Sequence, residues 1–239
     1  MNDLAQTFRT ALELILHGDA VLARTVALSL HVSATACLLA AAFGLLGGAW
    51  LAVARFAGHR LLLLLLNTLL ALPSVVVGLV VYLLLSRAGP LGSWGILFTP
   101  TAMVIAQTVL VLPVVAALSR QIVADGLRDG GDQLRSMGAG RLMSALLMLV
   151  HDRWAVLTVL LAAFGRAISE VGAVMIVGGN IAGVTRVMTT TIALETSKGD
   201  LPLALALGLV LLGVVGLLNL GIALITSRLG GRSAARGVL

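Results

Sequence analysis

The stretch TAMVIAQTVLVLPVVAALS, residues 101–119, carries no charged side chain. A helix that crosses the hydrocarbon core of a bilayer needs about 20 apolar residues, so this stretch is close to one full span. The chain has 239 residues, of which 59% are hydrophobic and 11% are charged, and its mean hydropathy is +1.10. Soluble domains have about a quarter of their residues charged. The composition therefore predicts an integral membrane protein, organised as one membrane domain over residues 1–239.

The apolar residues fall into five runs, which we interpret as five transmembrane helices. Barrel strands are excluded because they are about 10 residues long and alternate in polarity. Pro73 and Pro113 lie inside the second and third runs and are expected to kink or interrupt those helices. Glycines in the first run (Gly44, Gly47, Gly48) and in the fifth (Gly208, Gly213, Gly216, Gly221) predict close approach of helices. The predicted spans are residues 26–53, 61–85, 96–119, 154–177 and 201–225.

The distribution of arginine and lysine predicts the orientation, because cytoplasmic loops carry an excess of these residues. With five spans, ten basic residues fall on one side and five on the other. The first side is therefore expected to be cytoplasmic, with the N-terminus outside and the C-terminus inside. The net charge of +6 is then explained without a nucleic-acid partner. The ten residues are Arg55, Arg60, Arg120, Arg128, Arg135, Arg141, Arg153, Arg228, Arg232 and Arg236, and the five are Arg9, Arg24, Arg87, Arg186 and Lys198.

The two ends of the chain have simpler predictions. Leu4, Phe8, Leu12 and Ile15 recur at helical spacing among polar residues, which predicts a short interfacial helix over residues 1–20. A polar lead-in without structure is the alternative. Residues 228–239 are expected to be a basic cytoplasmic tail.

The longest cytoplasmic loop, residues 121–153, contains the polar segment DGGDQLRSMGAGR, residues 129–141. Residues 130–131 are both glycine and are expected to break regular structure. Asp129 or Asp132 can then cap the start of a short helix.

The same segment predicts a helix face and a sharp turn. Leu134 and Met137 are three residues apart and can share one face, and Gly138 and Gly140 are expected to end the short helix. A second helix follows. Such a knob suits insertion into a groove of a partner protein. The alternative is an ordinary amphipathic helix in a loop.

This segment resembles the cytoplasmic signature of ABC importer permeases, which reads E-A-A, three residues, G, nine residues and I-x-L-P. Residues 132–134 occupy the E-A-A positions, Gly138 the glycine position and residues 148–151 the last part. The chain departs from the signature at Asp132, at the two alanines and at His151, which replaces the proline. The resemblance implies a type I importer permease with five transmembrane helices and a coupling helix seated in the cleft of an ATPase subunit. The implied coupling residues are Asp132, Gln133, Leu134, Arg135, Met137, Gly138 and Ala139.

Two charged residues, Arg166 and Glu170, lie in the predicted fourth span within FGRAISEVGAVMIVGGN, residues 164–180. Charges inside a membrane are costly, by at least about 2.5 kcal/mol each. Residues four apart share a helix face and can pair. They can form a structural ion pair, line the translocation path or its gate, or do both.

This stretch also resembles the permeases of sulfate, molybdate and tungstate importers, at Arg166, Glu170, Gly172 and Ala173. Residues 178–200 are most similar to tungstate permeases, and the resemblance covers about residues 20–227. A tetrahedral oxyanion needs hydrogen-bond donors and positive potential. The candidates near the outer ends of the fourth and fifth spans are Thr185, Arg186 and Thr189, with Thr190 and Thr191 beside them, although helix capping would also explain the threonines.

The resemblance implies partners as well as a cargo. The chain has no G-x-x-x-x-G-K-[ST] phosphate loop, so ATP and Mg would be bound by a separate ABC ATPase, and no cofactor by this chain. An extracytoplasmic binding protein would deliver an oxyanion, most simply tungstate, to a homodimer in a bacterial or archaeal plasma membrane. Molybdate, sulfate or amino acids are alternative cargoes.

Two other classes of function are less well supported by the residues. An ion-coupled transporter would need several buried acids, and only Glu170 qualifies. A membrane enzyme would need clustered catalytic side chains, whereas the four histidines are scattered at positions 17, 31, 59 and 151. The single Cys37 suggests neither a disulfide nor a metal site.

Overall fold

The computed structural model describes residues 20–236 and positions 7, 9, 10, 12, 13 and 16. From residue 225 to 236 it describes the backbone and, of the side chains, only Ser227. The interfacial helix predicted for residues 1–20 therefore lies largely outside the described residues, as do the side chains of the predicted basic tail. The backbone of residues 228–236 continues the last helix.

The described part of the chain is all α-helical, as predicted. Three helical stretches, Ala20–Val53, Pro100–Ser136 and Leu201–Leu224, are long and apolar enough to cross a membrane. Two pairs of bent helices raise the number of candidate spans to five if each pair is one span. The α-helices are α1 (Ala20–Val53), α2 (His59–Leu70), α3 (Ser74–Leu85), α4 (Pro100–Ser136), α5 (Arg141–His151), α6 (Arg153–Ile168), α7 (Gly172–Gly178), α8 (Met188–Lys198) and α9 (Leu201–Arg236), with one 3-10 turn at Gly92–Trp94.

The two prolines behave differently. The predicted second span is interrupted before Pro73, and α2 and α3 meet there at 103°. Pro73 has an extended backbone and directly precedes α3, where its missing N–H costs no helical hydrogen bond. Pro113 lies inside the continuous helix α4. The expected interruption is therefore present at Pro73, whereas Pro113 does not interrupt its helix.

Helix α4 differs from the predicted third span at both ends. It begins at Pro100 rather than at residue 96, because Phe98 has a left-handed φ of 61° and Pro100 favours the first helical position. It also continues through the glycines at 130–131, which were expected to break it, and ends at Ser136. Each helical glycine costs about 1 kcal/mol relative to alanine. Packing of α5 on this part of α4 outweighs that cost.

The predicted fourth span is also two helices rather than one. Helix α6 ends at Ile168, and α7 begins at Gly172. Residues 169–171 between them are not helical. Helix α6 is instead bent by 76° from α5, which precedes it.

The chain divides into two compact units, each built from three separate segments. Unit 1 comprises Met1–Cys37, Leu72–Leu110 and Arg166–Val214. In it α3 packs on α7, where Gly78 lies so close to the backbone of Ala173 that an added Cβ would be 2.7 Å from its Cα. The fully buried core around this contact includes Met103, Ala106 and Val174.

Unit 2 comprises Leu38–Ala71, Val111–Gly165 and Val215–Leu239. One of its apolar clusters contains Ala49 of α1, Val123 of α4, and Ala145 and Met148 of α5. At Gly126 of α4, an added Cβ would lie 2.8 Å from Met148 Sδ, so this glycine permits the close packing of α5.

Of the glycines that were expected to allow close helix packing, Gly44 and Gly48 of α1 do so, whereas Gly47 of α1 and the glycines of α9 do not. A Cβ at Gly44 would lie 2.9 Å from Val115 Cβ, and one at Gly48 would overlap Ser119. In α9, an added Cβ at positions 208, 213 or 216 meets nothing within 4 Å in this chain, and one at position 221 is in ordinary contact with a leucine. The prediction for the fifth span was therefore wrong within a single chain.

Candidate functional site

The turn that follows α4 is held by a Schellman motif. The N–H of Ala139 donates to the carbonyl of Leu134 at 3.0 Å, and the N–H of Gly138 donates to the carbonyl of Arg135 at 2.9 Å. Gly138 has a φ of 83°, a conformation that only glycine adopts without strain. The turn at Gly138 is thus as predicted, although the helix before it is the end of α4 and not a separate short helix.

The predicted coupling residues form one exposed edge of this turn. Asp132, Gln133 and Arg135 are exposed, and Met137 keeps 76% of its surface accessible. Leu134 does not share a face with Met137, since Met137 lies beyond the last helical residue and Leu134 packs on the cluster of α1, α4 and α5. Leu134 therefore anchors the turn, while Met137 remains available to a partner.

A single ion pair lies on this edge. Arg135 Nη1 is 3.3 Å from Asp132 Oδ1, and both side chains are exposed to solvent. An exposed pair of this kind contributes about 0–1 kcal/mol to stability. Its charges are thus available to a docking partner at small cost.

The break between α6 and α7 separates the two charged residues that were expected to pair. Arg166 lies in the last turn of α6 and is exposed, whereas Glu170 lies in the non-helical segment. No ion pair joins them, although both belong to the described residues. Glu170 instead accepts a hydrogen bond at Oε1 from the N–H of Ala173 at 3.2 Å. The ion-pair interpretation is therefore wrong, because the helix that would have aligned the two residues ends at Ile168.

Side chains from other helices satisfy the backbone at this break. Gln107 Nε2 of α4 donates to the carbonyl of Ala167 at 3.0 Å. Thr189 Oγ1 of α8 donates to the carbonyl of Glu170 at 2.7 Å. The carbonyl of Ala167 also accepts from the N–H of Glu170 at 3.2 Å, so Gln107 is its second donor. At a break in a membrane helix, carbonyls that lose their helical donors must be satisfied by protein or water.

The threonines near the break are buried and use their hydroxyl groups locally. Thr185 Oγ1 donates to the carbonyl of Gly178 at 2.6 Å and accepts from the N–H of Ile181 at 3.0 Å. Thr190 caps the start of α8 by accepting from the N–H of Val187 at 3.1 Å. This geometry corresponds to the capping alternative for these threonines.

Arg186 occupies a half-buried position close to Asn180. Its Nη2 donates to the carbonyl of Asn180 at 3.3 Å, while its Nε is buried without a hydrogen-bond partner. Oδ1 of Asn180 is likewise buried without a partner. The guanidinium group of Arg186 therefore keeps a buried donor that no described group uses.

A small polar cavity of about 10 Å³ lies next to the break in unit 1. Gln107, which lines it, is only 4% exposed, and its Oε1 is buried without a hydrogen-bond partner. A cavity of this volume can hold one water molecule when it has polar partners. The polar side chains that line it are Ser29, Ser33, Gln107, Glu170 and Thr189. Among the described residues, no three His, Cys, Asp or Glu side chains are grouped to hold a metal ion.

No protein-family model matches the chain. Individual relatives match it over most of its length. It is 43% identical to the tungstate uptake system permease protein TupB of Peptoclostridium acidaminophilum, over 92% of this chain and 96% of that protein. The chain belongs to the permease family of ABC transporters. A probable anion ABC transporter permease of Haloferax volcanii is 42% identical over 88% of this chain and 91% of its own length, and TupB of Campylobacter jejuni is 37% identical over 89% of each.

Membership of this family confirms the prediction made from the two sequence motifs, and this ABC permease is a multi-pass membrane protein. The motifs could not reveal Gln107 or Ser29, which hold the backbone around the break in this permease. Ser29 Oγ accepts from the N–H of Met188 at 2.8 Å. The sequence signal for both residues was a polar side chain inside an apolar run. That signal does not distinguish a side chain that bonds the backbone from one that contacts a cargo.

Proposed function

We propose that this permease is the membrane subunit of an ATP-driven importer that carries tungstate. The observation that carries the proposal is the identity of 43% and 37% with two tungstate uptake permeases, over about nine-tenths of the chain in each case. The permease would hydrolyse no ATP itself. A separate ABC ATPase would bind ATP and Mg and supply the energy.

Coupling to the ATPase is proposed at residues 132–139. A docking element must be exposed and must keep its shape when a partner pushes on it. The exposure of Asp132, Gln133, Arg135 and Met137 supports the first property, and the Schellman motif at Gly138 supports the second. The turn is the end of helix α4, which has 37 residues. At a rise of about 1.5 Å per residue, a helix of this length extends for about 55 Å. A displacement of the turn by the ATPase would therefore be carried along one continuous helix.

The orientation and the other partners follow from the same proposal. The turn would face the cytoplasm, with the N-terminus outside, in a bacterial or archaeal plasma membrane. A binding protein would deliver the anion on the opposite face. A second copy of the chain would complete the path along a two-fold axis, because closed two-fold symmetry gives a single shared path.

The path itself is proposed to use Arg166 and Arg186 as its cations. Arg166 is exposed and has no ion-pair or hydrogen-bond partner among the described residues, and the Nε of Arg186 is unsatisfied. Thr185 and Thr189 would hold the backbone beside the path rather than bind the anion, because their hydroxyl groups donate to backbone carbonyls. Glu170 would fix the break next to them. Sparse binding of this kind lets an anion pass without being trapped.

Uptake of tungstate by sealed vesicles tests the proposal. The vesicles would hold the permease, its ATPase and its binding protein, and tungstate, molybdate and sulfate would be offered side by side. We expect tungstate uptake that requires ATP and all three components. ATP-dependent uptake of molybdate or sulfate without tungstate would contradict tungstate as the cargo but would agree with an ATP-driven importer. Uptake without ATP by the isolated permease would contradict the mechanism.

A further inference from the structure

Five basic side chains surround a cavity of about 360 Å³ in unit 2. One lies in the loop 54–58, one is the first residue of α2 and one is the first residue of α5, and the other two lie in the last turns of α4. None of the described residues that line the cavity is acidic. The basic residues are Arg55, His59, Arg128, Arg135 and Arg141.

Two of these arginines have weak carboxylate partners beside the cavity. Arg128 Nη1 is 3.1 Å from Asp125 Oδ1, and Arg135 forms the exposed pair with Asp132. The arginine side chains of these pairs remain 78% and 69% exposed, so water screens both interactions. Each guanidinium has five N–H donors, and one carboxylate oxygen uses few of them.

The other two arginines of the cavity have no carboxylate partner. Arg55 and Arg141 form no side-chain hydrogen bond or ion pair with any described residue. His59 is better fixed, because its Nε2 lies 3.0 Å from the carbonyl oxygen of Leu51. The cavity therefore has two uncompensated guanidinium charges and further donors that are only partly used.

We propose that this cavity binds a tetrahedral oxyanion of the phosphate class. Guanidinium groups match such anions with paired hydrogen bonds. The volume lies within the usual range of ligand sites, about 300–1,000 Å³, and exceeds what a bare ion needs. The remaining lining is apolar, with Leu127 and several alanines. The anion can therefore be a free ion or the headgroup of an anionic phospholipid whose glycerol lies on the apolar wall.

This inference does not rest on the proposed function. It depends on the charges and shape of unit 2, and it would hold whatever cargo the permease carries and whichever side faces the cytoplasm. Arg135 also belongs to the proposed docking turn, so the test leaves it unchanged.

The decisive variant removes the two arginines without partners, Arg55→Gln/Arg141→Gln. The matched control is Arg60→Gln/Arg153→Gln, which removes the same charge from two exposed arginines that do not line this cavity. A third variant, Asp125→Asn, frees the guanidinium of Arg128. Circular dichroism and thermal melting in detergent establish that each variant is folded.

Binding is measured on the purified full-length chain. Inorganic phosphate and tungstate are titrated by calorimetry into delipidated protein in neutral detergent at low salt. In parallel, native mass spectrometry counts retained phosphatidylglycerol and phosphatidylcholine after exposure to equal mixtures. We expect the double arginine variant to weaken binding at least about tenfold, which corresponds to about 1.4 kcal/mol. We expect the control to change it less than about twofold and Asp125→Asn to strengthen it.

The two arms identify the source of the anion. Phosphate or tungstate binding that depends on Arg55 and Arg141 assigns the site to a free oxyanion. Retention of phosphatidylglycerol alone, lost in the same variant, assigns it to a lipid headgroup. Equal losses in the double variant and its control would overturn the proposal, as would the absence of any anion binding. If the double variant does not fold, Arg141→Gln and Asp125→Asn must still change affinity in opposite directions.

Discussion

Replacing Gly48 by alanine should destabilise unit 2 at the contact between α1 and α4. An added Cβ would overlap Ser119 Oγ and the carbonyl oxygen of Ala116, and would lie 2.9 Å from the backbone N of Arg120. Two of the three obstacles are backbone atoms of a helix, which cannot rotate away. The helices must therefore separate locally. The adjacent Gly47 provides a control, because its added Cβ meets nothing within 4 Å.

The magnitude follows from three contributions. Overpacking costs about 2 kcal/mol, in the middle of its usual range. Ser119 Oγ donates to the carbonyl of Gly44 at 3.1 Å, and displacing it costs about 1 kcal/mol. Alanine is favoured over glycine in a helix by about 1 kcal/mol, which offsets part of this. The net destabilisation is about 2 kcal/mol, or about 4–8 °C in Tm for a chain of this size.

Thermal unfolding of the purified variants in one detergent measures the effect. We expect Gly48→Ala to melt about 4–8 °C below the wild type. Gly47→Ala should melt at or slightly above it, because that position gains helix propensity without a collision. Equal melting temperatures for the two variants would refute the close approach of α1 and α4 at Gly48. A lower value for Gly47→Ala would show that the wrong face of α1 had been assigned.

Three further predictions concern the turn and the break. Gly138→Asp should abolish ATP-driven uptake while leaving insertion into the membrane intact. A side chain at this positive φ costs about 1–2 kcal/mol, and it alters the proposed docking turn. The control variant Gly131→Ala should retain uptake. Glu170→Ala should lower Tm by about 2–4 °C, because the N–H of Ala173 loses its acceptor. Glu170→Gln keeps an acceptor and should melt close to the wild type. Equal melting temperatures for the two variants would contradict a role for this hydrogen bond at the start of α7. Thr189→Val should cost about 1–2 kcal/mol by leaving a carbonyl unpaired, and Thr189→Ser should not; unfolding curves that coincide would exclude that bond.

The membrane class and the family could be predicted because they depend on features that are local in sequence. Long uncharged runs are sufficient for a membrane protein, and the glycine at position 138 is required by the turn itself. The neighbouring residues could be assigned to the predicted coupling segment because the family motif has a fixed spacing. These features do not depend on which distant residues come together.

The helix boundaries could not be predicted because they depend on contacts between distant residues. The glycines at 130–131 have a poor helix propensity, yet α4 continues through them, because Met148 of α5 packs against this part of the helix. In the fourth span, the apolar pattern continues past Ile168, but the helix stops there. The sequence contains no proline at that point to announce the break.

The break instead depends on polar residues that are far away in the sequence. Gln107 is 60 positions from the carbonyl to which it donates, and Ser29 is 159 positions from Met188, from whose N–H it accepts. A helix can end inside a membrane only where such partners are present. A polar residue in an apolar span is therefore first a candidate partner for a broken backbone and only then a candidate for cargo binding. Applied here, that order assigns the threonine hydroxyls to backbone hydrogen bonds and leaves the guanidinium groups of Arg166 and Arg186 as the proposed cations of the path. We infer that transport depends more on positive charge at these two positions than on hydroxyl groups, so lysine should preserve uptake at either position better than glutamine.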